Sequence, residues 1–220
     1  MDIENGLSHR GGQVFLARLT GTLIAGMLAF AFVGSAAAVT PKEQIQSAIE
    51  QVVTILKDPN LKSEAKKKER LERLRQVIFP KFDFTEMAKR SLGANWQRRT
   101  PEEQREFARL FTELIENSYI NNLDSYNGEK VTVTGEKQDQ GFAQVNTKIV
   151  ANNGEQYSVE YKLYQAGNDW KVYDVVIENI SIVNNYRSQF TRVIARSSFE
   201  DLMRKMKDKQ FEAVGKNQKT

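Results

Sequence analysis

Residues 131–183 read VTVTGEKQDQGFAQVNTKIVANNGEQYSVEYKLYQAGNDWKVYDVVIENISIV, and the period of this stretch decides the fold class. Val131 and Val133, then Ala143, Val145, Thr147 and Ile149, then Tyr157, Val159, Tyr161 and Leu163 recur at every second position. Such alternation marks half-buried strands, with one apolar and one polar face. Asn152-Asn153-Gly154 and Gly167-Asn168-Asp169 are turn signals between the runs, because these residues accept the backbone angles that turns require. A fourth strand is expected from Trp170 to Val183. The prediction is a four-stranded antiparallel meander whose single apolar face must be covered by other elements.

Upstream and downstream the period is helical. Thr40-Pro41-Lys42-Glu43 and Thr100-Pro101-Glu102-Glu103 are capping boxes with proline at the first helical position, each a strong start signal. The first opens a helix that ends near Asp58-Pro59-Asn60. The second opens a helix with Phe107, Leu110, Phe111, Leu114, Ile115 and Tyr119 at three- and four-residue steps. Between them, residues 62–79 predict a helix with Leu71, Leu74, Val77 and Ile78 on one side. Lys66, Lys67, Lys68, Arg70, Arg73 and Arg75 fall elsewhere on it, forming either a solvated face or a contact for anionic headgroups. Asp83, with Glu86 three residues on, caps a short helix that Gly93 ends. After Asn184 the helical period returns with Tyr186, Phe190, Val193 and Ile194, then Phe199, Leu202, Met203 and Met206. The fold class is therefore α+β, with helices over one face of a curved sheet.

Residues 19–33 are an uncharged apolar run preceded by Arg10 and Arg18 and followed by Gly34-Ser35-Ala36-Ala37-Ala38. That pattern predicts a secretory signal peptide over 1–38, cleaved after Ala38, then one domain over 39–207 and a flexible tail over 208–220. The chain has no cysteine and its one histidine is His9, inside the expected leader. The segment after it has no Ser-His-Asp or Cys-His nucleophile system and no imidazole or thiolate metal site. No cofactor is expected. The net charge of +4 is too small to imply nucleic acid.

Asp174 and Glu178 are the carboxylates to consider for general-base chemistry in an open cone, against a role as solvated or paired acids. The helices and the apolar strand faces are rich in bulky side chains, which either fill a core or line a cavity; periodicity does not distinguish the two.

Two segments carry a resemblance. Phe82-Asp83-Phe84-Thr85-Glu86-Met87-Ala88-Lys89-Arg90-Ser91-Leu92-Gly93 leads through Trp96 to Thr100-Pro101-Glu102-Glu103-Gln104-Arg105. Val172-Tyr173-Asp174-Val175-Val176-Ile177-Glu178 leads to Asn185-Tyr186-Arg187-Ser188-Gln189-Phe190. In order and spacing they resemble the MlaC family of periplasmic phospholipid-binding proteins, also called the toluene-tolerance auxiliary component, and the resemblance spans the chain from leader to C-terminal helices. Asn179 stands where that family often has glycine, a mild change because asparagine tolerates a left-handed backbone. Ser198 stands where a glycine often breaks the last helices, which leaves the sharpness of that break open.

The resemblance implies an NTF2-like cone with an apolar pocket for acyl chains. It also implies phospholipid transfer between outer and inner membrane, maintenance of outer-membrane lipid asymmetry, and two partners: an inner-membrane ABC transporter complex with an MCE-domain subunit and an outer-membrane lipoprotein complex. On that expectation the predicted facing puts Phe84, Met87, Leu92 and Trp96 on one wall, and Phe107, Phe111 and Tyr119 on another. Val145, Tyr161, Val175 and Ile177 form the sheet floor, and Tyr186 and Phe190 close the remaining side. Tyr173 and Arg187 are candidates for the mouth, where an arginine pairs with a phosphate; Arg187 is equally a candidate structural partner of Asp174 or Glu178. A periplasmic lipoprotein carrier or holdase, and an NTF2-like carboxylate enzyme, are the alternatives.

Overall fold

A computed structural model describes residues 39–120, 123 and 126–211. The expected signal peptide, and residues 212–220 of the expected tail, lie outside the described residues. The core cluster is built from residues between Ile45 and Met206, so the described residues carry their own core.

Both capping boxes form as the sequence predicts. Thr40 accepts from the Glu43 N–H and the Glu43 carboxylate accepts from the Thr40 N–H, starting helix α1 (Pro41–Lys57). Thr100 and Glu103 repeat the exchange at helix α4 (Pro101–Ile115). Helix α2 is shorter than expected, Lys67–Ile78, because two 3₁₀ turns, Pro59–Leu61 and Glu64–Lys66, occupy the preceding residues. The Asp58 side chain accepts from the Asn60 N–H and stabilises the first of them. Helix α3 (Phe84–Leu92) is capped by Asp83 and stops at Gly93, whose φ of 59° favours glycine.

The meander comprises strands β1 (Lys130–Asp139), β2 (Phe142–Val150), β3 (Gln156–Ala166) and β4 (Asp169–Ile177), and a fifth strand, β5 (Ile180–Ser181), follows. All pair antiparallel in the order β1-β2-β3-β4-β5. The expected fourth strand to Val183 is thus two strands. Glu178 (φ 47°) and Asn179 (φ 65°) both adopt the left-handed conformation that a two-residue hairpin turn requires. Apolar residues on both sides, Val175 to Ile177 before it and Ile180, Ile182 and Val183 after it, conceal the turn, although Asn179 is one of the residues that accepts this backbone.

Helix α5 (Ile182–Arg196) starts directly after β5, and helix α6 (Phe199–Lys207) follows a break at Ser197 and Ser198. Ser198 caps α6 by accepting from the Asp201 N–H, so the break is made by a capping serine. Gln44 joins α1 to the sheet: its amide donates to the Trp170 carbonyl (2.7 Å) and accepts from the Trp170 N–H (3.4 Å). Among the described residues no helix is long and apolar enough to cross a membrane.

Candidate functional site

Strand register sorts the inner sheet face into rows. Ala143, Leu163 and Val172 form one row; Val145, Tyr161 and Val175 the next; Val133, Thr147, Val159 and Ile177 the third; Val131, Ile149 and Tyr157 the last. Burial falls along this sequence. The first row is closed, with Leu163 and Val172 at 0 % exposure, whereas in the last row Val131 and Ile149 are half-buried and Tyr157 is 40 % exposed.

The helices also contribute both buried and half-buried apolar side chains. Met87, Leu92, Trp96, Phe107, Phe111, Tyr186 and Phe190, all expected as pocket walls, are buried in the core cluster. Four of them touch one another directly. The Phe107 and Phe190 rings meet edge-on at 5.6 Å, Phe111 and Tyr186 at 5.8 Å, and Tyr186 and Phe190 stack at 5.6 Å. These spacings are those of favourable aromatic pairs, so this part of the interior is filled by side chains. Phe211, within the segment expected as a tail, adds its ring edge-on to Phe190 at 5.1 Å.

Ile49 of α1, Tyr119, Val133, Ile149, Tyr161 and Ile177 also pack against the core but are only half-buried. Tyr119 lies in a π-helical turn, Glu116–Ile120, that continues α4; the regular period expected to run through Tyr119 is broken there. Burial pushes the Tyr161 hydroxyl up to about 12, yet the residue retains accessible surface. Phe84 stands apart from both groups, in a ring cluster with Phe79 (4.8 Å) and Phe82 (5.5 Å) where Phe82 bridges to Val172 at the sheet edge.

The two expected mouth residues occupy a different surface. Tyr173 sits at a bulge of β4 beside Tyr164 and Phe142, with the Arg90 guanidinium 4.1 Å from its ring centre. Arg187 donates from Nε to the Arg90 carbonyl at 2.7 Å, bonding the backbone near the C-terminus of α3. It pairs with neither acid proposed for it. Asp174 is buried and accepts from the Ser181 hydroxyl (2.7 Å) and the Val183 N–H (3.1 Å), anchoring the start of α5, with Lys162 Nζ at 4.0 Å. Glu178 accepts from the Ser158 N–H and hydroxyl, bonds that lower its pKa. A general base needs a free carboxylate, and both acids are engaged, Asp174 by Ser181 and Val183 and Glu178 by Ser158. The cationic face expected on α2 also needs one correction: Arg70 is buried at 6 % exposure and donates to the Leu61 carbonyl.

Two surface grooves are present. One of about 420 Å³ lies along α4 and includes Trp96, Gln104 and Ala108. The other, about 350 Å³, lies at the N-terminus of α1 beside Gln138–Gly141 and Trp170. Of the expected lining residues only Trp96 borders either. Among the described residues no group of three or more His, Cys, Asp or Glu side chains is arranged to hold a metal ion.

Ile49, Val133 and Ile149 are half-buried neighbours of the core that fall outside the residues expected to line a pocket. The signal was present in the alternation of Val131, Val133, Thr147 and Ile149.

Comparisons with known proteins bear on this site. The chain is 29 % identical over 163 residues to toluene tolerance protein ttg2D of Pseudomonas putida, covering 73 % of this chain and 76 % of that one. It is 25 % identical over 150 residues to the intermembrane phospholipid transport system binding protein MlaC of Haemophilus influenzae, covering 66 % and 70 %. A solved phospholipid-binding protein from Ralstonia solanacearum, in complex with a phospholipid, superposes with a TM-score of 0.68 at 26 % identity, over 76 % of this chain and 95 % of that one. The family model described as MlaC protein matches residues 46–208, and the chain belongs to the MlaC family.

Proposed function

We propose that this chain is a periplasmic phospholipid-binding carrier of the Mla system. The observation that carries the reading is the fall in burial along one apolar sheet face, from Leu163 and Val172 to Ile149 and Tyr157, in a fold shared with a protein solved with phospholipid bound. Tyr161 supports it: a hydroxyl desolvated enough to reach about 12, on a residue with surface left over, borders interior space more readily than bulk water.

Acyl chains enter between the sheet and helix α1 at the half-buried end, against Ile49, Tyr119, Val133, Ile149, Tyr161 and Ile177. Phe107, Phe111, Tyr186 and Phe190 back the site and hold its shape, so the sheet and helices act as a cone closed at one end. The headgroup stays at the open rim. Enclosure has a physical reason: each methylene kept from water contributes about 0.8 kcal/mol, and two acyl chains with roughly thirty methylenes would cost on the order of 20 kcal/mol to carry bare. A cavity as apolar as the bilayer removes most of that cost and makes transfer in either direction nearly isoenergetic. In this reading residues 1–38 are a cleaved leader, the donor and acceptor are an inner-membrane MCE-domain ABC transporter and an outer-membrane lipoprotein complex, and the outcome is outer-membrane lipid asymmetry.

The test is native mass spectrometry of residues 39–220 purified without detergent, followed by organic extraction and lipid analysis. Phospholipid at near-stoichiometric amounts is expected. A folded, ligand-free protein that takes up no added phospholipid overturns the reading, and co-purification with polypeptide in place of lipid transfers it to a lipoprotein carrier or holdase.

A further inference from the structure

Residues 57–75, KDPNLKSEAKKKERLERLR, hold eight cations and four anions, a net +4 that equals the charge of the entire 220-residue chain. Everything outside this segment sums to zero. The segment forms the turn between α1 and α2 and most of α2 itself, and from Lys57 to Glu69 only Leu61 is buried. Part of the charge is paired within it: Lys66 and Arg73 share Glu69, and Lys67 meets Glu64. Lys57, Lys62 and Lys68 are exposed and have no ion pair among the described residues. Arg75 extends from the same helix to Glu116 at 3.0 Å, at the start of the π-helical turn that carries Tyr119. The lysine-rich segment and the π-helical turn that carries half-buried Tyr119 are therefore joined through one ion pair.

Lysine chemistry indicates the occupant. An ammonium is a hydrated point charge on a flexible stem, whereas the planar arginine fork suits shaped, bidentate contacts; lysine is depleted and arginine enriched where proteins bind proteins. Exposed lysines clustered on a turn match a laterally averaged array of phosphates, where each contributes by proximity alone. We propose that the α1–α2 turn docks the protein on a bilayer surface bearing anionic phospholipid headgroups. Docking there brings the Tyr119 end of the domain near the membrane. The docking itself does not depend on the carrier reading.

Vesicle co-sedimentation of residues 39–220 tests it, using phosphatidylcholine alone and phosphatidylcholine with one-third phosphatidylglycerol. Association with the anionic vesicles at low salt is expected, with loss at high salt, where the screening length falls to about 3 Å at 1 M. The triple variant Lys57→Gln, Lys62→Gln, Lys68→Gln should bind these vesicles about 100-fold more weakly, while the triple arginine variant retains binding. Circular dichroism melts verify folding, and organic extraction should return the same phospholipid content from all variants, which separates docking from carriage. Equal association with both vesicle types, or undiminished association of the glutamine variant, overturns the proposal. Absence of association with anionic vesicles overturns it too and assigns the cations to an acidic protein surface.

Discussion

Leu163 and Ile149 lie on the same face of the same sheet, built from the same kind of alternating strand, yet Leu163 is fully buried and Ile149 is half-buried. Between them run the rows of Val145 with Tyr161 and of Thr147 with Val159. Phe107, Phe111, Tyr186 and Phe190 form a fully buried ring cluster in mutual contact. Ile49 and Tyr119, outside the sheet, pack against the core and are themselves half-buried. One interior can thus be rigid scaffold at one end and receptive surface at the other, since close packing on all sides leaves no room for a ligand.

The largest expected effect tests the closed end. Phe111→Ala removes a ring at 0 % exposure and should destabilise the fold by about 3–5 kcal/mol, read by chemical denaturation. A loss below about 1 kcal/mol would mean that this end is loosely packed and would break the comparison. At the other end, Ile149→Trp should leave stability within about 1 kcal/mol and reduce retained phospholipid about tenfold, a change of roughly 1.4 kcal/mol in binding, measured by extraction per folded protein. If the tryptophan unfolds the domain instead, the open end is as full as the closed one.

Alkaline titration sharpens the comparison at Tyr161, between the two ends. Its folded pKa of about 12 exceeds the ordinary tyrosine value of 10.0. Below pH 10 both states hold the proton and stability is complete; between pH 10 and 12 the unfolded chain releases a proton that the folded chain keeps, so stability falls as pH rises. Tyr164 contributes in the same direction, its hydroxyl raised to about 12 chiefly by donation to Asp83. Tyr161→Phe should flatten part of the fall in denaturation midpoints across that window. An unchanged slope would place the Tyr161 hydroxyl in bulk water.

The smallest effect is a control remote from both ends. Asn179→Ala puts a Cβ-bearing residue without a turn-forming side chain at φ 65° and should cost about 1 kcal/mol, whereas Asn179→Gly should be neutral or slightly stabilising. Lipid content should stay constant in both, and a change in it would couple the β4–β5 turn to the interior.

Much of this architecture was readable because its signals are local. Thr40 and Thr100 bond residues three positions away, and alternation over four or five residues states which strand face is apolar. Arg70 and Arg187 show where such reading stops. Both sit on helices among other cations, yet one is buried on the Leu61 carbonyl and the other bonds Arg90, 97 residues away in sequence. Likewise the Glu178-Asn179 turn was concealed by apolar neighbours that continue the strand pattern on either side.

The sequence by itself determined an α+β chain with capped helices, a meander with one apolar face, and a stretch from residue 39 onward with neither histidine nor cysteine. It also determined the family, because motif order and spacing persist along the chain. Only the tertiary structure decided which apolar side chains fill space and which border it. Phe107 and Ile149 each obey their local period equally well. Whether a side chain meets a neighbour across the interior depends on how α1, α4 and α5 lie over the sheet, and that placement is set by contacts many tens of residues apart, which no local period encodes.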